Sequence, residues 1–190
     1  MSEDHFHVHG PHDHEVEHQA QSGDSFAGRI AVMTAILATI GALFSYQGGA
    51  TQNDALLFKN EAAIRKTEAS DQWNFYQAKS NKQNLAELGA TLTTGDAAER
   101  YRSEAKRYND EKKDIQKKAE ELEREGVAAN ARSEASMHVH HRWAQAMTLV
   151  QIAIALAAIT LLTRKRWLQW GVYGSAIGGG VLAMLAMLHI

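Results

Sequence analysis

Six histidines, His5, His7, His9, His12, His14 and His18, stand within the first eighteen residues, interleaved with Asp4, Asp13, Glu15 and Glu17. In an extended chain alternate residues share a face, so His5, His7 and His9 could present three imidazoles to Zn²⁺, Ni²⁺ or Cu²⁺. Chelation requires neutral imidazole, so such a site weakens below about pH 6. The same stretch also reads as a solvated acidic tail, because a flexible segment loses entropy on closing around an ion and supplies no tetrahedral set by itself. A third reading is a charge switch. Residues 1–28 hold six acids and no Lys or Arg, and protonating six imidazoles of pKa near ~6.5 moves their balance from −6 towards zero.

Other reactive groups are sparse. His138, His140 and His141 precede an apolar run, and His138 and His141 share a helix face that could chelate. Arg142 and Trp143 follow at once, however, which reads as an interfacial anchor band. The absence of cysteine removes disulfides and thiolate metal sites. Without a glycine-rich phosphate loop after a strand, or a Ser-His-Asp set on compact scaffolding, no reaction class can be assembled, and the chain is expected not to be an enzyme. Nucleic-acid binding is also not expected, since no basic face emerges.

The elements that must carry these groups are dictated by hydropathy. Hydrophobic residues make up 45% of the chain but gather in three runs, at residues 28–47, 143–163 and 167–190. At 1.5 Å rise per residue each spans roughly the ~30 Å of a bilayer's hydrocarbon, and none shows the polar stripe of a soluble helix. Three transmembrane helices are therefore expected. Arg164, Lys165 and Arg166 form the short loop between the second and third, and short basic loops stay cytoplasmic. That orientation puts residues 1–27, a disordered His-rich tail, in the cytoplasm, and the segment 48–142 and the carboxyl terminus across the membrane. Arg142, Trp143, Trp167 and Trp170 are placed as further headgroup-level anchors. Small residues line up as Ala35, Ala38 and Ala42 in the first helix, Gln151 and Ala155 in the second, and Gly171, Gly174 and Gly178 in the third, faces along which helices approach closely in lipid, within one chain or between chains. No acid or base lies inside the helices to couple ion movement, which argues against a carrier and leaves a passive oligomeric pore as one reading.

Residues 48–142 carry 16 basic and 16 acidic side chains. Gly48 and Gly49 are expected to loosen the chain, with Thr51 and Asp54 capping a new helix, and Thr94-Gly95-Asp96 to reverse it near 93–96. From Tyr101 a three-four spacing continues through Ala105, Tyr108, Lys112, Ile115, Ala119, Leu122, Gly126 and Ala129, a coiled-coil seam. Its partner is less regular: Leu57 and Ile64, then Ala69, Trp73 and Tyr76, then Leu85, Leu88 and Leu92 form three local seams of different phase. Each arm reaches about 60 Å. So narrow a seam buries little apolar area, which predicts a homo-oligomer whose further hairpins cover Trp73, Phe75, Tyr76, Tyr101 and Tyr108. The alternative is that these aromatics fill the seam of a single hairpin.

The stretch Ala69 to Gln83 (ASDQWNFYQAKSNKQ), the preceding NDALLFKNEAA and the later LVQIAIALAAITLLTRKRWL together resemble the bacterial domain-of-unknown-function family 4337 over nearly the whole chain except the His-rich tail. The resemblance implies a bacterial membrane protein of the same helical layout, with no assigned activity and no functional residues to carry over.

The fold class expected is all-α, three transmembrane helices with a long antiparallel coiled-coil hairpin between the first and second. The expected role is structural: a bacterial inner-membrane protein in contact with lipid that oligomerises or docks an envelope protein through a periplasmic hairpin. A metal-binding or metal-sensing accessory protein using the tail is the alternative.

Overall fold

The computed structural model describes residues 25–188; the six tail histidines lie outside the described residues. Three helices and no strand appear among the described residues: α1 (Ser25–Leu92), α2 (Asp96–Thr163) and α3 (Leu168–Met187). The all-α expectation holds, and the two long helices pack against each other around a turn at Gly95. Contacts divide the chain into two units, one formed by the chain up to Ala50 and from Val139 onward, the other by Thr51–His138.

The expected break at Gly48-Gly49 does not occur, because α1 runs through both glycines. Gly48 serves close approach instead. A Cβ there would lie 3.4 Å from Trp143 Cβ, and the Gly48 carbonyl accepts a 2.8 Å hydrogen bond from His140 Nδ1. Since a carbonyl only accepts, that ring nitrogen carries the proton. Glycine inside a helix costs about 1 kcal/mol relative to alanine. Thr51 and Asp54 consequently sit within the helix rather than capping one.

The two turns use left-handed backbone. Gly95 has φ 63° and Arg164 φ 53°, a region that glycine enters freely and arginine only with strain. After Arg164 the N–H groups of Leu168, Gln169 and Trp170 donate to the carbonyls of Lys165, Arg166 and Trp167, each at 3.2 Å, leading into α3.

In the first unit the core is Ile30, Leu37, Val150, Ala153, Ala157 and Val172, continued by Trp143, Ala146, Ala183 and Ala186. Close packing of α3 on α2 rests on Gly179, where a Cβ would stand 3.1 Å from the Ala146 oxygen and 3.2 Å from Val150 Cγ2. Hydroxyls of Thr34, Thr148, Thr160 and Thr163 each donate to the carbonyl four residues back, so they need no water. All three helices contain a stretch long and apolar enough to cross a membrane.

In the second unit a single seam runs the length of the hairpin. Its α2 side is the one expected, from Ala105 through Ile115, Ala119, Leu122 and Ala129, all buried. The α1 side differs from the three broken seams read from the sequence. Ala55, Ala62, Ala69, Tyr76, Gln83 and Ala90 alternate with Phe58, Arg65, Gln72, Lys79 and Ala86 in one unbroken three-four phase, all buried or half-buried. Leu57, Ile64, Leu85, Leu88 and Leu92 point outward. The physical reason is size. Alanine, at five of these eleven positions, lets two helices approach more closely than leucine does, and at Arg65 and Lys79 the apolar stems stay in while the charged heads reach water. Ser133 completes the register by donating to the Ala55 carbonyl at 2.8 Å.

Candidate functional site

The hairpin's polar chemistry is concentrated midway along it. Lys79 leaves the seam to hydrogen-bond Glu111, its ammonium also standing 5.3 Å from the Phe75 ring centre and 5.4 Å from that of Tyr108. Arg107 lies 5.0 Å over Tyr108 and Lys112 lies 5.2 Å over Tyr76. The hydrogen bond from Lys79 holds the Glu111 carboxyl below its ordinary range, and a similar bond from Lys118 does the same for Glu121. Arg65 joins Glu68 on its own helix at 3.0 Å to Glu125 on the other at 3.1 Å, and the Glu68 bond above all raises its pKa. Trp73 donates from Nε1 to Glu123 at 2.8 Å and meets Tyr76 edge-on at 5.6 Å. Opposite the turn, Gly89 leaves room for the Tyr101 ring, which a Cβ would meet at 3.0 Å. These groups lock register. The bonds of Arg65 to Glu125, Lys79 to Glu111 and Trp73 to Glu123 cross from α1 to α2 and hold the two helices together.

The five aromatics singled out in the sequence separate accordingly. Trp73, Tyr76 and Tyr108 are half-buried along the seam, whereas Phe75 and Tyr101 are exposed at 50% and 39%.

The other notable surface is the back of α1. Leu57, Ile64, Asp71, Ala78, Leu85 and Leu92 recur every seven residues and are all exposed, and so are Asn53, Asn60, Thr67, Asn74, Asn81 and Leu88, a second column of the same period. The two columns are spaced three and four apart, which is the spacing of a helix-packing seam on the side of α1 turned away from α2. The neighbouring column, Leu56, Ala63, Ser70, Gln77, Asn84 and Thr91, has no charge either. Ten charged residues lie between Gln52 and Leu92, and only Asp71 falls on these three columns. Every outward column of α2 contains several charges. The back was readable in the sequence as a seven-residue column with Leu or Ile at 57, 64, 85 and 92, but the size of those side chains made them look like the intramolecular core.

In the apolar unit, Ala35, Ala38 and Ala42 are exposed, as are Gln151 and Ala155, so the small-residue faces read from the first two helices do not meet within the chain. On α3, Gly171 and Gly178 approach Leu156 and Leu149, with a Cβ reaching 3.3 and 3.2 Å, while Gly174 has open space beside it. Gly179, absent from the sequence reading, makes the closest approach. Trp143 is buried at 4% exposure and packs 5.4 Å from Phe44 within the unit. Trp167 and Trp170 are exposed, as are Arg164, Lys165 and Arg166; Arg142 is half-buried. Arg29 and Arg166 line one cleft with Phe26, Gln169 and Tyr173, which puts the start of α1 and the basic loop at the same end of the unit. Among the described residues this unit has five cations, Arg29, Arg142, Arg164, Lys165 and Arg166, and no carboxylate. The rings of His140 and His141 lie 5.7 Å apart, and among the described residues no three His, Asp or Glu side chains gather as metal ligands.

An all-α protein with three bilayer-length apolar stretches and a charged two-helix hairpin is thus the class that fold and surface define. The chain belongs to the family described as Domain of unknown function (DUF4337), which matches residues 26–189. No curated protein and no solved structure matches it.

Proposed function

We propose that this chain is a multi-pass protein of the bacterial inner membrane whose hairpin projects into the periplasm as an interaction module. One observation carries the reading: alanine takes five of the eleven α1 seam positions in the hairpin, while the large aliphatic side chains Leu57, Ile64, Leu85, Leu88 and Leu92 of that arm face outward. Exposed aliphatic side chains gathered on one face of a helix are costly in water and mark a surface that a partner covers. Lipid contact is supported by the three helices of bilayer length, and the orientation by the basic loop together with Arg29 at its end of the unit. A cytoplasmic amino terminus and an exported hairpin and carboxyl terminus follow.

The test is isolation of the full chain in native nanodiscs with mass measurement of the intact assembly. The reading expects more than one polypeptide per disc, and the same assembly after deletion of residues 2–20. A protein recovered in soluble form without detergent, or an assembly lost with the tail, overturns it in favour of a tail-centred role.

A further inference from the structure

We propose that the uncharged back of the α1 arm binds the same face of a second copy of this chain, parallel and in register, as a two-stranded coiled coil. The inference rests on the interaction-module reading and names its partner.

Three features select a second copy as the occupant. The face keeps one three-four phase from Asn53 to Leu92, so it fits a straight helix of matching length with the same period; a globular partner imposes no such repeat over forty residues. Its two columns differ in chemistry. Leucine or isoleucine stands at 57, 64, 85 and 92 in one, and asparagine at 53, 60, 74 and 81 in the other. In a parallel in-register pair each column meets itself, so aliphatic side chains pack on aliphatic ones and each asparagine amide finds the identical amide, donor to acceptor. An antiparallel pairing sets Ile64 against Asn81 and Leu85 against Asn60, leaving amides without partners. Finally, copies anchored in one bilayer by the same helices present their arms side by side and pointing the same way, which is the parallel arrangement. Asp71 is the one discordant position, since it too meets its own copy, carboxylate against carboxylate. That residue limits the affinity and provides a handle on it.

The chain contains no cysteine, so single cysteines report proximity without background. In membrane vesicles holding the full chain, Asn81→Cys is expected to form a disulfide-linked dimer on mild oxidation, and Asp114→Cys, exposed on α2, to stay monomeric. Adding Leu85→Asp and Leu92→Asp to Asn81→Cys should reduce the dimer at least about tenfold. Adding Asp71→Asn should raise it several-fold. All these positions are exposed in the single chain, so helix content measured by circular dichroism should not change. Equal crosslinking of Asn81→Cys and Asp114→Cys overturns the proposal, as does indifference to the aspartates at 85 and 92, or an Asp71→Asn variant that associates less. A chain that sits in the membrane and assembles with some other polypeptide, without Asn81→Cys dimers, sinks this pairing alone; a chain that does not enter the membrane sinks the reading beneath it as well.

Discussion

At the scale of single residues, the least expected conformation is that of Arg164. A left-handed arginine at the end of a helix is strained where glycine is not, by about 1 kcal/mol. Arg164→Gly should therefore raise thermal stability, by up to about 2–4 °C for a chain of this size, less what glycine's freedom in the unfolded chain takes back. An unchanged or lower melting temperature in detergent micelles would show that the guanidinium contributes more than the strain costs. Glycines divide in the same way. A Cβ at Gly179 would stand 3.1 Å from the backbone oxygen of Ala146, tighter than an ordinary contact, whereas one at Gly174 meets nothing. Gly179→Leu should cost about 1–3 kcal/mol and Gly174→Ala should be neutral or better, a contrast that melting curves in nanodiscs would reveal. The residue type was legible here and the individual position was not: several glycines on α3 share a composition, and only the place where α2 crosses decides which one is under pressure.

At the scale of the element, the hairpin shows what a seam reading can and cannot find. On α2 the large side chains Ile115 and Leu122 occupy the seam, so periodicity of apolar residues located it. On α1 the seam mixes alanine with Phe58, Arg65, Gln72, Tyr76, Lys79 and Gln83, and weighting residues by size placed Leu57, Ile64, Leu85, Leu88 and Leu92 in the core when they face outward. Substitutions separate the two faces. Leu122→Ala should destabilise the hairpin by about 2–4 kcal/mol, while Leu85→Ala should leave the single chain's stability near that of the parent and alter only its association. Denaturant titration with and without dilution of the protein in lipid distinguishes them. The hairpin is also expected to respond to acid in a defined direction. The Glu111 carboxyl titrates below its unfolded value because Lys79 hydrogen-bonds it, so its stabilising contribution is present above the ordinary glutamate range and disappears as pH falls through the lowered folded value. Thermal melts should thus change little from pH 7 to about pH 5 and decline below about pH 4. Lys79→Met should reduce that decline; an equal decline in the variant would mean that other carboxylates govern it.

At the scale of the whole molecule, the orientation is open to direct test. Cysteine introduced at Lys165 should be labelled by an impermeant maleimide only from the cytoplasmic side of vesicles, and cysteine at Thr94, in the hairpin turn, only from the other. Labelling of both from one side would break the topology on which the interaction-module reading depends. Ala35, Ala38, Ala42, Gln151 and Ala155 are all exposed in the single chain.

The sequence by itself determined the all-helical class, the three apolar stretches, the turn at Gly95, the basic loop and the α2 side of the seam. Each of these follows from local chemistry: unbroken apolar length, a glycine free to adopt positive φ, a run of fixed charge, a period of three and four. Only the tertiary structure decided that α1 continues through Gly48, that Trp143 is buried, and that Leu57, Leu85, Leu88 and Leu92 of the hairpin face outward. Those outcomes depend on how closely two helices approach, and that distance is set by the side chains of both partners together, which no single segment of sequence contains.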